Sequence, residues 1–151
     1  MLVYRIASPQ YAGDLSGNGA KLYGGRWNAK GTAVVYLTSS RALAVMELLV
    51  HLRPEDLQRP YALMTFDVPD DKVLKLAVKD LPKDWQHEER KSSLHRITSD
   101  FVAKGVHLLM EVPSVLIEEE SNYILNPLHP DAAKVKLVAQ RSFNFDQRLK
   151  G

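Results

Sequence analysis

Two side chains in the first third of the sequence have the types and surroundings that chemistry would need: Arg26 in YGGRWNAKG, and Glu47 in SSRALAVMELLVHL. Arginine is the side chain best shaped to grip an oxyanion, and the flanking glycines let backbone come close to a bound group, so the first ligand to consider is an anionic small molecule. The loop is neither of the common phosphate-binding motifs. It lacks the Gly-Lys-Ser/Thr ending of a P-loop, and it precedes a strand where a dinucleotide fingerprint would follow one and open a helix. The alternative is a hairpin-like loop in which the glycines take positive φ and Trp27 plugs the core. Glu47 has Leu43, Ala44, Val50 and His51 three and four positions away, so it lies either on the polar edge of a helix or in a cleft at the core margin. In a cleft, burial would disfavour its charge and a nearby arginine would restore it.

Other candidates are weaker. Glu47 and His51 have the i,i+4 spacing of a helical metal pair, but no third ligand is evident, the remaining histidines His87, His95, His107 and His129 are dispersed, and no metal is expected. Ser114 follows a proline in VPSVLIEEESNYILNPLHP without a Gly-x-Ser-x-Gly elbow, which argues against a serine nucleophile. Glu118, Glu119 and Glu120 read as a solvated turn, and Asn122 and Asn126 bracket a short apolar run where each could satisfy turn backbone.

These residues must be held by a series of short elements. LVYRI reads as a strand, GDLSGNGAKLYGG as a glycine-rich loop and TAVVYLT as a buried strand. A helix follows from about Ala42 to Leu52, with Ser39 or Ser40 available as its N-cap and Pro54 beyond its end. YALMTFDVP is a further strand, and DDKVLKLAVKDLP is too interrupted to assign. KSSLHRITSDFVAKG gives a helix stopped by Gly105, VHLLMEVPSVLIE two strands hinged at Pro113, and KVKLVAQRSFNFD one or two strands more. The tail DQRLKG is expected to fray. With more strands than helices and no regular alternation, the order predicts a single α+β domain over residues 1–151 with a mixed or mainly antiparallel sheet, not a doubly wound nucleotide fold.

Composition sets outer limits. The 151 residues are 45% hydrophobic and 25% charged, values of an ordinary globule. The formal net charge is +2 with the basic residues scattered, which gives no case for direct nucleic-acid or membrane binding. Zero cysteines exclude thiol catalysis and thiolate metal sites. The N-terminal MLVYRIASPQ does not read as a signal peptide, and a cytoplasmic location is expected.

In combination, GGRWNAKGTAVVYLTSSRALAVMELLVH and VPSVLIEEESNYILNPLHP resemble the RES domain family, the toxin halves of bacterial toxin–antitoxin pairs. The resemblance runs from YRIA to NPLHP and beyond, with TSDFVAKG standing where a more Trp-bearing segment is expected. It implies a fold similar to ADP-ribosyltransferases, NAD as substrate with no further cofactor, cleavage of the nicotinamide–ribose bond by hydrolysis or phosphorolysis, and a helix-turn-helix (Xre-type) antitoxin as partner. It also implies roles for individual residues: Glu47 and Arg26 as the catalytic pair, and Arg5, Tyr23, Tyr36, Ser114 and Asn122 as substrate-binding. Transfer of ADP-ribose to a protein side chain is the alternative activity, and a non-catalytic binding module is the alternative from another class.

Overall fold

The computed structural model describes residues 1–150, so that Gly151, the end of the tail expected to fray, lies outside the described residues. The chain runs β1 (Leu2–Ala7), α1 (Asn18–Tyr23), β2 (Val35–Thr38), α2 (Arg41–Leu49), β3 (Tyr61–Asp67), β4 (Val73–Lys75), α3 (Lys91–Lys104), β5 (Leu109–Pro113), β6 (Ser121–Leu125) and β7 (Lys136–Phe143). One seven-stranded sheet carries the order β4-β5-β6-β2-β1-β3-β7. Only β4 and β5 run parallel; the other neighbours are antiparallel. The domain is therefore α+β with a mixed, mainly antiparallel sheet.

Alternation along the strands sorts the core onto the two faces of the sheet. Val3, Val35, Leu37, Met64, Phe66, Leu109 and Leu125 pack together on one face. On the other, α3 brings Leu94 and Phe101 onto Met110, Val112 and Ile124, joined by Trp27 and Trp85 with ring centroids 6.2 Å apart. On that same face α2 places Ala44 and Leu49 against Ile6 and Leu63. The two helices thus cover different ends of one face and leave the middle strands uncovered between them. There β1 and β2 share a single registered pair, Tyr4 with Thr38, whereas β1 and β3 are paired along their whole length.

Several boundaries differ from the sequence expectation. The glycine-rich loop contains α1, which Gly24 ends at φ 71. The second helix starts on the Ser40 cap, whose Oγ accepts from Leu43 N at 3.0 Å, but ends at Leu49; the chain continues in tighter turns to Leu52, with His51 N on Leu48 O and Leu52 N on Leu49 O, before Arg53 extends ahead of Pro54. Residues after Pro113 form no strand: Ser114 Oγ accepts from the N–H groups of Leu116 and Ile117 and turns the chain, and the second strand is instead SNYIL. The unassigned DDKVLKLAVKDLP contributes β4, and KVKLVAQRSFNFD is one strand. In the tail, Gln147–Lys150 form a 3-10 turn whose Lys150 ammonium donates to Leu52 O.

Candidate functional site

A hollow of about 660 Å³ opens over the uncovered strands. That is the size of a small-molecule site. Its floor is Tyr4, Tyr36, Thr38 and Asn122; Glu47 and Leu48 of α2, with His51 just beyond its end, form one wall; Gly24, Gly25 and Arg26, with Glu88 and Lys91, form the opposite side. Arg26 and Glu47 therefore share one hollow, which Arg5 also lines.

Glu47 is fixed by side chains from two other segments. Ser114 Oγ and Asn122 Nδ2 each donate to Glu47 Oε1 at 2.7 Å. Among the described residues Oε2 has no hydrogen-bond partner, and Glu47 forms no ion pair. One oxygen is thus anchored and the other is available. Holding it this way leaves a defect, since among the described residues Asn122 Oδ1 is buried without a hydrogen-bond partner. Such an orphaned acceptor is destabilising by about 1–3 kcal/mol.

Arg26 is held through its loop. Asn28, fully buried, donates from Nδ2 to Ala20 O at 2.8 Å and Thr32 O at 3.0 Å, tying α1 to the loop. Tyr36 donates from Oη to Asn28 Oδ1 at 2.6 Å and accepts from Trp27 N at 3.2 Å. His95 Nε2 reaches Gly25 O at 2.8 Å, so that the ring donates there. The need for glycine at position 25 follows from this latch, because a Cβ would stand 2.7 Å from Tyr36 Oη. Arg26 itself donates from Nη1 to Gln86 O at 2.8 Å and makes no ion pair among the described residues. Burial pushes the Tyr36 phenol up to about 12, against the pull of its hydrogen bonds to Trp27 and Asn28 and of the Arg26 charge.

The remaining sequence candidates separate. Arg5 donates from Nη1 to Asp14 O at 2.6 Å, and burial draws its guanidinium below the ordinary value while Asp14 opposes. Ser114 is fully buried, and its hydroxyl is engaged with Glu47 and two backbone N–H groups instead of facing the hollow. Asn122 does face the hollow, with its amide on Glu47. Tyr23 lies elsewhere: as the last residue of α1 it is 80% exposed and does not line the hollow. His51 stands in the wall beside Glu47, and no three potential metal-binding side chains converge among the described residues. Four polar lining residues were not among the sequence candidates: Tyr4, Thr38, Glu88 and Lys91. Strand alternation could have indicated Tyr4. Nothing in the aperiodic stretch around residues 84–91 pointed to Glu88, whose carboxyl Lys91 holds below the usual range across a 2.8 Å bridge.

Comparison with known proteins gives concordant matches. Residues 2–146 match the RES domain family. A protein of Photorhabdus laumondii named Toxin Res is 36% identical over 151 residues, covering 99% of this chain and 97% of the relative. A Sphingobium protein named Prs ADP-ribosylating toxin is 40% identical over 141 residues, covering 91% of this chain and 88% of the relative. Among solved structures, a chain from the M. tuberculosis MbcT-MbcA toxin-antitoxin complex superposes with a TM-score of 0.77 at 21% identity, covering 99% of this chain and 86% of that one, a likeness of fold.

Proposed function

The chain belongs to the RES domain family, and from that membership we propose that it is the toxin of a bacterial toxin–antitoxin pair that degrades NAD at the nicotinamide–ribose bond. The observation that carries the reading is the placement of Glu47 and Arg26 on one hollow, neither neutralised by an ion pair among the described residues. In NAD the nicotinamide is a cationic pyridinium. When its glycosidic C–N bond breaks, the electron pair goes to the ring nitrogen, neutral nicotinamide departs without a general acid, and positive charge grows on the ribose. Glu47 Oε2 is the complement to that charge or to a ribose hydroxyl. A preorganised group of this kind contributes about 3–4 kcal/mol to the transition state. Water or inorganic phosphate then bonds to the ribose carbon, with a proton lost when water is the acceptor.

Arg26, together with Arg5, holds the pyrophosphate away from the bond that breaks. Ser114 and Asn122 act through Glu47: their two hydrogen bonds set the carboxylate before substrate arrives. For Ser114 this replaces direct contact with substrate. Tyr36 acts through the arginine loop. The toxin names of the relatives support a cognate antitoxin, and we assign it to the helix-turn-helix (Xre) type.

A second reading has its own support. The Sphingobium relative is named as an ADP-ribosylating toxin, which favours transfer of ADP-ribose from the same hollow, and we assign a protein side chain as the acceptor in this reading. Incubation of the purified chain with NAD separates the two. Loss of NAD with release of nicotinamide in water, faster or unchanged with phosphate, supports degradation. NAD that persists until a target protein is added supports transfer. Equal growth inhibition by the native chain and a folded Glu47→Gln variant would remove catalysis from both.

A further inference from the structure

Cleaving a dinucleotide at one end requires the hollow to tell its two bases apart, and the proposed roles so far place only a ribose and a pyrophosphate. Bases are held by aromatic faces. Three aromatic carbocycles line the hollow: Tyr4, Trp27 and Tyr36. Trp27 is 3% exposed and packs on Trp85, and Tyr36 is committed through its hydroxyl to Asn28 and Trp27. Tyr4 remains. On β1 it stands in register with Thr38 of β2, which stands in register with Asn122 of β6, the residue that holds Glu47. Two strand spacings place Tyr4 about 10 Å across the floor from Asn122.

Tyr4 is also modified by its surroundings. The Arg41 guanidinium carbon lies 4.5 Å from the centre of its ring, and Arg41 does not line the hollow. The cation thus lies over one face of the ring without lining the hollow, and draws on its π-electrons. A second cation on the open face would be repelled by the first, while a neutral heteroaromatic base would stack without that penalty. At the other end of the floor Glu47 attracts positive charge. Resting on NAD as the substrate, we propose that Tyr4, backed by Arg41, is the stacking platform for the neutral adenine, and that the two charges together orient the dinucleotide with its pyridinium toward Glu47.

The test is calorimetric binding of NAD, ADP-ribose and nicotinamide mononucleotide to the full chain carrying Glu47→Gln, which slows turnover about a hundred- to a thousandfold. Adding Tyr4→Ala is expected to weaken NAD and ADP-ribose by about tenfold each, the scale of one lost base stack, and to leave nicotinamide mononucleotide unchanged. Tyr4→Phe keeps the π face and restores both affinities. Arg41→Ala, at an exposed position, shifts preference toward nicotinamide mononucleotide by about two- to threefold, a scale typical of one exposed cation–π contact. Weakening of the mononucleotide by Tyr4→Ala with ADP-ribose unchanged would assign the ring to the pyridinium, and equal weakening of both would assign it to the ribose phosphate they share; either result would overturn the proposal. Unchanged preference in Arg41→Ala would overturn the orienting role even if Tyr4→Ala does not fold. If the Glu47→Gln chain binds none of the three ligands and the native chain leaves NAD intact, the functional reading falls along with the platform. If NAD binds but Tyr4→Ala changes nothing, the platform alone falls.

Discussion

The two sides of the hollow hold their key charges in opposite ways. Glu47 is gripped directly, with donors from β6 and from the turn after β5 meeting on one carboxylate oxygen at 2.7 Å. Arg26 is held indirectly: Asn28, Tyr36 and His95 fix the backbone around it, while its guanidinium touches one carbonyl, Gln86 O. A group that must meet developing charge gains from being set in advance, since reorganising it during the reaction would raise the barrier. A group that grips a flexible pyrophosphate gains from a fixed base and a free fork. Asn122 Oδ1, buried and unpartnered among the described residues, indicates that the first arrangement is kept at some loss of stability.

Removing the gripped charge tests that side most directly. Glu47→Gln keeps the shape and the acceptor for Ser114 and Asn122 but removes the carboxylate, so NAD turnover is expected to fall about a hundred- to a thousandfold with the Tm within a few degrees of the native chain. Initial rates of nicotinamide release measure it. Activity within tenfold of native would mean that Glu47 only lines the hollow.

Ser114→Ala separates the charge from its support. The variant takes from the fully buried Ser114 the hydroxyl that accepts from the N–H groups of Leu116 and Ile117, and takes one donor from Glu47. Denaturant unfolding should show a loss of about 1–3 kcal/mol. Turnover should fall on the order of tenfold, less than full misplacement of a catalytic group produces, because Asn122 still holds the carboxylate. If Ser114 met substrate directly, KM would rise instead with kcat preserved.

On the opposite side, Arg26→Lys keeps the charge and loses the planar fork. KM for NAD should rise about tenfold, roughly 1.4 kcal/mol, with kcat changed far less, since an interaction made equally in ground and transition states moves KM alone. A fall in kcat equal to the fall in kcat/KM would mean that Arg26, like Glu47, acts on developing charge, and the contrast between the two sides would disappear.

How much of this arrangement the sequence disclosed depended on range. Glu47 and Arg26 stood out because each departs from its local surroundings, a carboxylate amid apolar helix neighbours and an arginine between glycines and tryptophan. Their meeting in one hollow depends on strand pairing between distant segments, which spacing does not encode. The role of Ser114 turned on the direction of one hydroxyl, set by a turn that was expected to be a strand. The helix α1 was masked by Gly17 and Gly19, residues of low helix propensity, and its existence moved Tyr23 out to solvent. The strand β4 has three residues and is defined by its partner β5 more than by its own pattern. Glu88 belongs to a segment without periodicity and Lys91 stands at the first position of α3, so only tertiary packing could bring the pair to the hollow.

The smallest effect concerns the latch beneath Arg26, and it appears only in alkali. Tyr36 titrates at about 12 in the folded chain against an ordinary phenol near 10. An acid whose folded value is raised contributes stability in full below its unfolded value, and that contribution is lost as pH rises from about 10 through about 12, because unfolding releases a proton that the native state retains. The loss is of the order of 2–3 kcal/mol and is absent at neutral pH. Other tyrosines and lysines titrate nearby, so the measurement is a difference: denaturant unfolding of native and Tyr36→Phe chains at several pH values between 8 and 12. The variant should be less stable at neutral pH, having lost the bonds to Asn28 and Trp27, and the gap should close as pH rises. A gap that stays constant would mean that the phenol sheds its proton as readily in the fold as out of it, and that the arginine loop is not held by a buried neutral hydroxyl.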